Sequence, residues 1–166
     1  MDLYLVRHAI AFDPDSTKWP DDRDRPLTSQ GEKRFARAAR GLAELVDSVD
    51  VVLSSPFVRA WRTAELLHKA GWPAPTRCEA LEAGRAPAEA LQALQAHASA
   101  AAVALVGHEP SMHELASYLL TAEANHAQVE FRKGGVARLT IDPALRPGSA
   151  TLVWMLQPKI LRAVER

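Results

Sequence analysis

Two histidines in this 166-residue sequence follow apolar runs, and each lies near groups suited to binding an anion. Arg7 and His8 end the run "LYLVRH", and His108 ends the run "AAVALVGH". Neutral imidazole is a competent nucleophile toward phosphorus, and its ordinary pKa of about 6.5 leaves much of it unprotonated at neutral pH. Guanidinium groups match the oxygens of a phosphate. These residue types predict a phosphate site with a histidine nucleophile.

A third apolar run ends in Ser54–Ser55, and Arg59 and Arg62 follow it within two helical turns. The dipeptide Ser55–Pro56 is typical of a helix start, with Ser as the N-cap and Pro at the first helical position. The amino terminus of such a helix favours an anion. The segment therefore predicts a second group of cations for the same phosphate.

Short apolar runs alternate with helix-like segments along the chain. The predicted strands are 2–7, 51–53, a brief one at 77–79, and 101–108; the predicted helices are 28–46 with Thr28 as N-cap, 55–71, 87–98 and 110–120. Residues 134–141 and 150–157 predict a C-terminal hairpin. The order predicts an α/β fold, a three-layer α/β/α sandwich whose central sheet is mostly parallel with an antiparallel C-terminal edge.

Ligands of such sheets bind beyond the carboxyl ends of the strands, so the three strand ends are expected to converge. The polar, proline-containing segment 13–26 is predicted to be a loop at the entrance. The first helix is predicted to bury one face, formed by Phe35, Ala38, Ala39, Leu42, Leu45 and Val46.

Composition narrows the class of protein. Lys and Arg total 20 and Asp and Glu total 20, which argues against a nucleic-acid partner. The single Cys78 cannot form an internal disulfide, which fits a reducing compartment. No apolar stretch has the length of a membrane span, and no signal peptide precedes the first strand. We expect a cytoplasmic protein with one domain, residues 1–166, that binds no membrane.

Three motifs together resemble the histidine phosphatase superfamily, also called phosphoglycerate-mutase-like. They are "LVRHA", "SSPFVRAWRTAELL" and "LVGHEP", in this order and at strand ends. The short chain, the segment "DRPLTSQG" and the lack of a large inserted cap are most similar to the small SixA-type phosphohistidine phosphatases. The resemblance covers nearly the whole chain and implies the phosphoglycerate-mutase-like fold and a metal-independent phosphatase without a cofactor.

The resemblance also implies a role for each matching residue. His8 would be the nucleophile that becomes phosphorylated. Arg7 and Arg59 would bind the phosphoryl oxygens. His108, expected to be protonated, would contact an equatorial oxygen. Arg25 would lie near the phosphate.

The sequence departs from the family pattern at two places. Ala9 replaces the usual glycine after the histidine, which is tolerated if that backbone position is not left-handed. The proton donor of larger members has no secure match, and Glu82 and Glu109 are the candidates. An imidazole leaving group needs protonation less than an alkoxide does, so a missing donor favours phosphohistidine. The expected substrate is therefore a protein phosphohistidine, with inorganic phosphate as product.

Two alternatives remain open. One is a phosphatase for small phosphoesters or phosphoramidates, and the other is a non-catalytic phosphate-binding module, which intact His8 and His108 disfavour. A mutase is disfavoured because the chain is too short for a closing cap. "HEPSMH" does not have the spacing of a zinc-protease motif, so no metal is expected and His113 is predicted on a helix surface. Arg62 is predicted to be solvated or ion-paired.

Overall fold

A mixed six-stranded sheet, covered by helices on both faces, forms the fold of residues 1–165, which the computed structural model describes. The strands are β1 (Asp2–Arg7), β2 (Val51–Ser54), β3 (Pro75–Arg77), β4 (Ala102–Gly107), β5 (Val136–Ile141) and β6 (Ala150–Leu156). The helices are α1 (Ser29–Ala43), α2 (Val58–Lys69), α3 (Pro87–Gln95), α4 (Ser111–Thr121) and α5 (Pro158–Val164), with 3-10 helices at Asp22–Asp24 and Glu79–Leu81. The predicted three-layer α/β/α fold is confirmed.

The strand order is β3-β2-β4-β1-β5-β6. Strands β1 to β4 are parallel, whereas β5 runs antiparallel to β1 and β6 antiparallel to β5, as predicted for the C-terminal hairpin. Arg7 at the end of β1 pairs in register with Gly107 at the end of β4, and Ser54 of β2 pairs with Val106. The residues that follow these three strands therefore emerge at one edge of the sheet.

Strand β1 alternates its side chains between two hydrophobic cores. Tyr4 and Val6 pack with buried residues of α1, α2 and α5, while Leu3 and Leu5 pack with those of α3 and α4. Burying a large apolar side chain stabilises a fold by about 1.5–3 kcal/mol. The strand that carries Arg7 to the site is thus held from both faces.

Helix α1 begins as predicted and ends earlier. The Thr28 side chain accepts a hydrogen bond from the Gly31 amide at 2.9 Å. Gly31 is required here, because a Cβ would lie only 2.1 Å from the carbonyl oxygen of Ile10. The helix stops at Ala43, so Leu45 is 43% exposed and its predicted burial is wrong.

Other element boundaries also differ from the prediction. Helix α2 begins at Val58 rather than at Ser55–Pro56, α3 ends at Gln95, and β3 spans Pro75–Arg77. Helix α5, which was not predicted, packs on α1 through buried Leu161. Within residues 1–165, no helix has the length and apolar character needed to cross a membrane.

Candidate active site

His8 directly follows β1 and is held through both its backbone and its ring. Its amide donates to the Gly107 carbonyl at 2.9 Å, and its carbonyl accepts from the Gly134 amide at 2.9 Å. The ring atom Nδ1 lies 2.7 Å from the Ala9 carbonyl oxygen. A carbonyl oxygen can only accept, so Nδ1 carries the proton and Nε2 keeps its lone pair. His8 is therefore oriented as a nucleophile that would react through Nε2.

His108 follows β4 and lies beside His8, as the convergence of strand ends predicts. The two ring centroids are 5.3 Å apart, and the His108 side chain is almost fully buried. Its Nε2 lies 2.8 Å from the hydroxyl oxygen of Ser55, the residue after β2. The Phe57 ring packs against the imidazole at 5.0 Å between centroids. Three strand ends thus contribute to one site.

Arg59 enters the site from the first turn of α2, and Arg25 enters from the loop 13–26. The carboxylate of Asp22 joins them, because its Oδ2 accepts from Arg59 Nη2 at 2.9 Å and its Oδ1 accepts from Arg25 Nε at 2.7 Å. The Asp22 carbonyl also accepts from Arg59 Nη1 at 2.7 Å. The bond from Arg25 is the largest of the effects that lower the pKa of Asp22. Nothing in the sequence pattern indicated Asp22, since its contacts exist only once the loop folds over α2.

Arg7, the residue before His8, borders a cleft of about 390 Å³. Its Nη1 donates to the Phe131 carbonyl at 2.6 Å. The cleft is lined by Arg7, Glu109, His113 and the segment 128–132. Burial raises the pKa of the Glu109 carboxyl, and the positive charge of Arg7 partly offsets this. A group bound in the cleft would meet an arginine and a carboxyl whose pKa is raised.

Buried polar atoms without hydrogen-bond partners concentrate in this site. Among residues 1–165 they are Arg7 Nε, Arg59 Nε, His108 Nδ1, Glu109 Oε1 and Arg138 Nε. Leaving such an atom unpaired costs about 1–3 kcal/mol. All but Arg138 belong to the predicted site, and three of these atoms are nitrogens that an anionic oxygen would satisfy. The arrangement is suited to an oxyanion such as phosphate.

The same environment keeps both histidines neutral. Burial, reinforced by the charges of Arg59, Arg7 and Arg25, lowers the pKa of His8 to about 3. Burial, His8 and the same arginines lower the pKa of His108 to about 2. Without a bound anion His108 is therefore neutral, because three nearby cations oppose a fourth, and the expectation of a protonated His108 during phosphoryl transfer stays a prediction. A bound phosphate dianion would offset these charges and raise both pKa values.

Comparison with known proteins agrees with this geometry. A sequence model of the histidine phosphatase superfamily (branch 1) matches residues 3–82. An uncharacterized protein of Picosynechococcus sp. is 34% identical over 159 residues, which cover 92% of this chain and 88% of the relative. The chain belongs to the histidine phosphatase superfamily. It is a phosphohydrolase of the histidine phosphatase type.

Solved structures place the fold within this superfamily. The structure of the protein histidine phosphatase SixA complexed with tungstate has a TM-score of 0.84 and 24% identity, covering 97% of this chain and 99% of that one. A provisionally assigned phosphohistidine phosphatase SixA from Agrobacterium tumefaciens has a TM-score of 0.74, 25% identity and coverages of 95% and 98%. One from Nakamurella multipartitia, also provisional, has a TM-score of 0.76, 26% identity and 95% coverage of both chains. The predicted similarity to SixA-type histidine phosphatases is confirmed.

Ala9 is compatible with this site. Among the described residues, non-glycine positions with positive φ are limited to Ala122 and Leu145, so Ala9 is not left-handed. Its amide donates to Thr63 Oγ1 at 3.0 Å, and that hydroxyl donates to the Arg59 carbonyl at 2.7 Å. Thr63, fully buried on α2 and not singled out in the sequence, therefore ties the His8 loop to the helix that carries Arg59.

The two candidate proton donors have different surroundings. Glu82 is buried, and its carboxylate faces two cations, Arg23 Nη2 at 3.3 Å and Arg85 Nη2 at 3.7 Å. Glu109 instead has a buried Oε1 without a partner and lines the cleft beside Arg7. Between the two, Glu109 is therefore the carboxyl that lines the cleft with Arg7 and has a buried oxygen without a partner.

Two minor predictions can also be compared with the structure. His113, predicted on a helix surface, lies on α4 with intermediate exposure, and its Nδ1 is 2.9 Å from the Val129 carbonyl oxygen. Arg62 forms ion pairs with Glu32 and Glu65, one of the two outcomes expected for it.

Proposed function

We propose that this protein hydrolyses phosphohistidine on a protein substrate through a covalent phosphohistidine at Nε2 of His8. The observation that carries the proposal is the group of buried, unpartnered nitrogens on Arg7, Arg59 and His108 beside a neutral His8. All of these side chains lie at one edge of one sheet, and we treat residues 1–166 as one catalytic domain.

In the first step, Nε2 of His8 attacks the substrate phosphorus. The N–P bond to the substrate imidazole breaks as the bond to Nε2 forms. The hydrogen bond from Nδ1 to the Ala9 carbonyl orients the ring, and a pKa of about 3 keeps the lone pair available at neutral pH. The departing imidazole takes up a proton.

Charge stabilisation is the main contribution of the protein to phosphoryl transfer. Arg7, Arg25 and Arg59 surround His8 closely enough to lower its pKa, and their guanidinium groups would bind the phosphoryl oxygens. A phosphate drawn into this position would also satisfy the unpartnered nitrogens of Arg7 and Arg59. The site would need no metal for these interactions.

We propose Glu109 rather than Glu82 as the proton donor to the leaving group. Burial raises the pKa of Glu109, while Oε2 of Glu82 is paired with two arginines. In the second step, water attacks the phosphorus of phosphorylated His8, the Nε2–P bond breaks, and Glu109 accepts the proton of water. Inorganic phosphate leaves and the carboxyl is again protonated.

The choice of phosphohistidine as substrate has two supports. Imidazole is a better leaving group than an alkoxide, so modest help from a single half-buried carboxyl is sufficient. The similar structures named SixA are described as protein histidine or phosphohistidine phosphatases, and one of them is complexed with tungstate, a tetrahedral oxyanion.

Rapid-quench labelling tests the intermediate. With ³²P-phosphoramidate, wild-type protein is expected to acquire acid-labile label on His8 before steady-state turnover. His8→Ala should lose both label and turnover, and His126→Gln, which changes an exposed histidine, should retain both. Turnover without label in the wild type, or normal turnover in His8→Ala, would overturn the mechanism.

A substrate profile tests the protein substrate against a small-molecule one. The cleft beside Arg7 is large enough for a small leaving group, which is the observation that favours the alternative. We expect kcat/KM to be highest for a phosphohistidine-bearing protein, then phosphoramidate, then sugar phosphates. The highest value for a sugar phosphate would support the alternative, and binding of phosphate without any turnover would support a non-catalytic module.

A further inference from the structure

Ser55 contacts His108 but has no role in the proposed mechanism. Its side chain is fully buried at the end of β2, and its hydroxyl oxygen lies 2.8 Å from Nε2 of His108. The same oxygen accepts a hydrogen bond from the Phe57 amide at 3.3 Å. Ser55 was expected to cap a helix, yet α2 begins only at Val58, and its N-cap is Phe57, whose side chain forms no capping hydrogen bond.

The proton between Ser55 and His108 can be assigned by counting donors and acceptors. If the Ser55 hydroxyl donates to Nε2, its oxygen still accepts from Phe57, and neutral His108 carries its proton on Nδ1. If Nε2 donates instead, the buried hydroxyl proton has no acceptor and Nδ1 presents a lone pair. The first assignment leaves one buried group unpaired, the Nδ1–H, whereas the second leaves two, the hydroxyl proton and the Nδ1 lone pair, so the first is the more stable.

The assignment matters because Nδ1 of His108 is one of the buried nitrogens without a partner. A neutral imidazole has one N–H, and the bond made by one ring nitrogen decides which nitrogen carries it. With the proton on Nδ1, His108 donates to an anion, whereas with the proton on Nε2 a lone pair would face the anion and repel it.

We propose that Ser55 is a positioning residue that holds His108 in the Nδ1–H tautomer, so that a neutral His108 donates a hydrogen bond to the bound phosphoryl group. The inference extends the proposed function, since it assumes that His108 contacts the phosphoryl oxygens. Ser55 itself has no contact with the reacting atoms and acts only through the ring.

Nitrogen NMR tests the tautomer in the unaltered protein. Long-range ¹H–¹⁵N spectra distinguish a protonated from an unprotonated ring nitrogen, and the His108 signals are assigned by their loss in His108→Gln. The expected result at pH 7 is a neutral His108 with protonated Nδ1 and unprotonated Nε2. Protonation at Nε2, or a cationic ring, would overturn the proposal without any variant of Ser55.

A double-mutant cycle tests whether Ser55 acts through His108. Inorganic phosphate serves as a competitive inhibitor, and Ser55→Ala is expected to weaken its binding about tenfold while shifting His108 toward the Nε2–H tautomer. In the His108→Gln background, Ser55→Ala should change phosphate affinity less than twofold. Ser117→Ala, which removes another fully buried hydroxyl on α4, is the matched control and should leave phosphate binding unchanged.

The two proposals fail in different ways. Equal losses from Ser55→Ala with and without His108 would contradict the positioning role. Unchanged phosphate affinity in His108→Gln would contradict the role of His108 in the proposed function, although the tautomer measured by NMR would still report what Ser55 does to the ring.

Discussion

Helix α2 presents Arg59 to the site and Arg62 to helix α1, and the two guanidinium groups differ in burial and in partners. Arg59 is 3% exposed, is bonded to Asp22 through both terminal nitrogens but keeps an unpartnered Nε, and has its pKa lowered mainly by burial. Arg62 is partly exposed and donates to Glu32 at 2.9 and 3.2 Å and to Glu65 at 2.9 Å, which raises its pKa. The residues lie one turn apart on one helix.

The difference indicates which of the two arginines is suited to bind an anion. A guanidinium whose donors are already bonded to carboxylates has little to offer a ligand, and near the surface its ion pairs contribute modestly to stability. A buried guanidinium with a free N–H destabilises the fold slightly and gains most from an arriving anion. Activity should therefore depend on Arg59, and stability slightly on Arg62.

Arg59→Ala should have the largest effect of the substitutions that address this comparison. Loss of one preorganised charge contact typically costs about 2.7–4 kcal/mol of transition-state stabilisation, so we expect kcat/KM to fall about 10²–10³-fold. Arg62→Ala is the matched control and should retain kcat/KM within about threefold. Steady-state kinetics with phosphoramidate measures both, and equal losses would contradict the distinction.

Glu109 and Glu82 differ in a similar way, since Glu109 has a buried oxygen without a partner and Glu82 is ion-paired with two arginines. Glu109→Gln removes the proposed proton donor, so kcat/KM is expected to fall about 10²-fold for an alkyl phosphate and by less for phosphoramidate, whose leaving group needs less protonation. Glu82→Gln should affect the two substrates equally, because Glu82 would act only through its ion pairs. The ratio of the two rates in each variant is the measurement. An unchanged ratio in Glu109→Gln would exclude it as the donor.

The site histidines predict how stability depends on pH. The pKa values of His8 and His108 lie at about 3 and about 2 in the fold, below the ordinary 6.5. As pH falls below 6.5, the unfolded chain binds protons at these positions while the folded chain does not, so stability decreases. Between pH 7 and 4.5 we expect the wild type to lose on the order of 2 kcal/mol more than His108→Gln, by urea unfolding. The free energy of unfolding of His126→Gln should depend on pH as in the wild type. If His108→Gln showed the same dependence as both, the lowered pKa of His108 would be contradicted.

Arg62→Ala should give the smallest effect. Removing its two partly exposed ion pairs is expected to lower the free energy of unfolding by about 0.5–1 kcal/mol. The loss should shrink in high salt, because salt screens exposed charges. Urea unfolding at low and high ionic strength measures it. A loss of several kcal/mol that does not depend on salt would contradict the view that Arg62 contributes only two partly exposed ion pairs.

The sequence predicted those parts of the site that depend on strand ends. Arg7, His8 and His108 each end an apolar run. Because the run forms a buried strand, the polar residue at its end must lie at the edge of the sheet, where a ligand can reach it. Arg59 was predicted together with Arg62 from the segment after the third strand, and family resemblance selected Arg59 and added Arg25. Their catalytic roles, like the cytoplasmic location and the absence of a nucleic-acid partner, stay predictions.

The residues that the sequence analysis missed act through contacts between distant segments. Asp22 joins two arginines only because its loop folds over α2, and Thr63 reaches Ala9 only because α2 packs beside β1. Ser55 was interpreted locally as a helix cap, although its hydroxyl lies against His108, 53 positions away. Local spacing carries no information about partners of this kind.

The position of β1 between β4 and β5 affects when the active site can form during translation. It is hydrogen-bonded to β4 on one side and to β5 on the other, where Tyr4 is paired with Arg138. His8 is translated about 130 residues before β5, the second neighbour of the strand that carries it. A nascent chain that has not yet reached β5 would thus contain His8, Arg25 and Arg59 without an assembled catalytic centre, and dephosphorylation would begin only after β5 has joined the sheet.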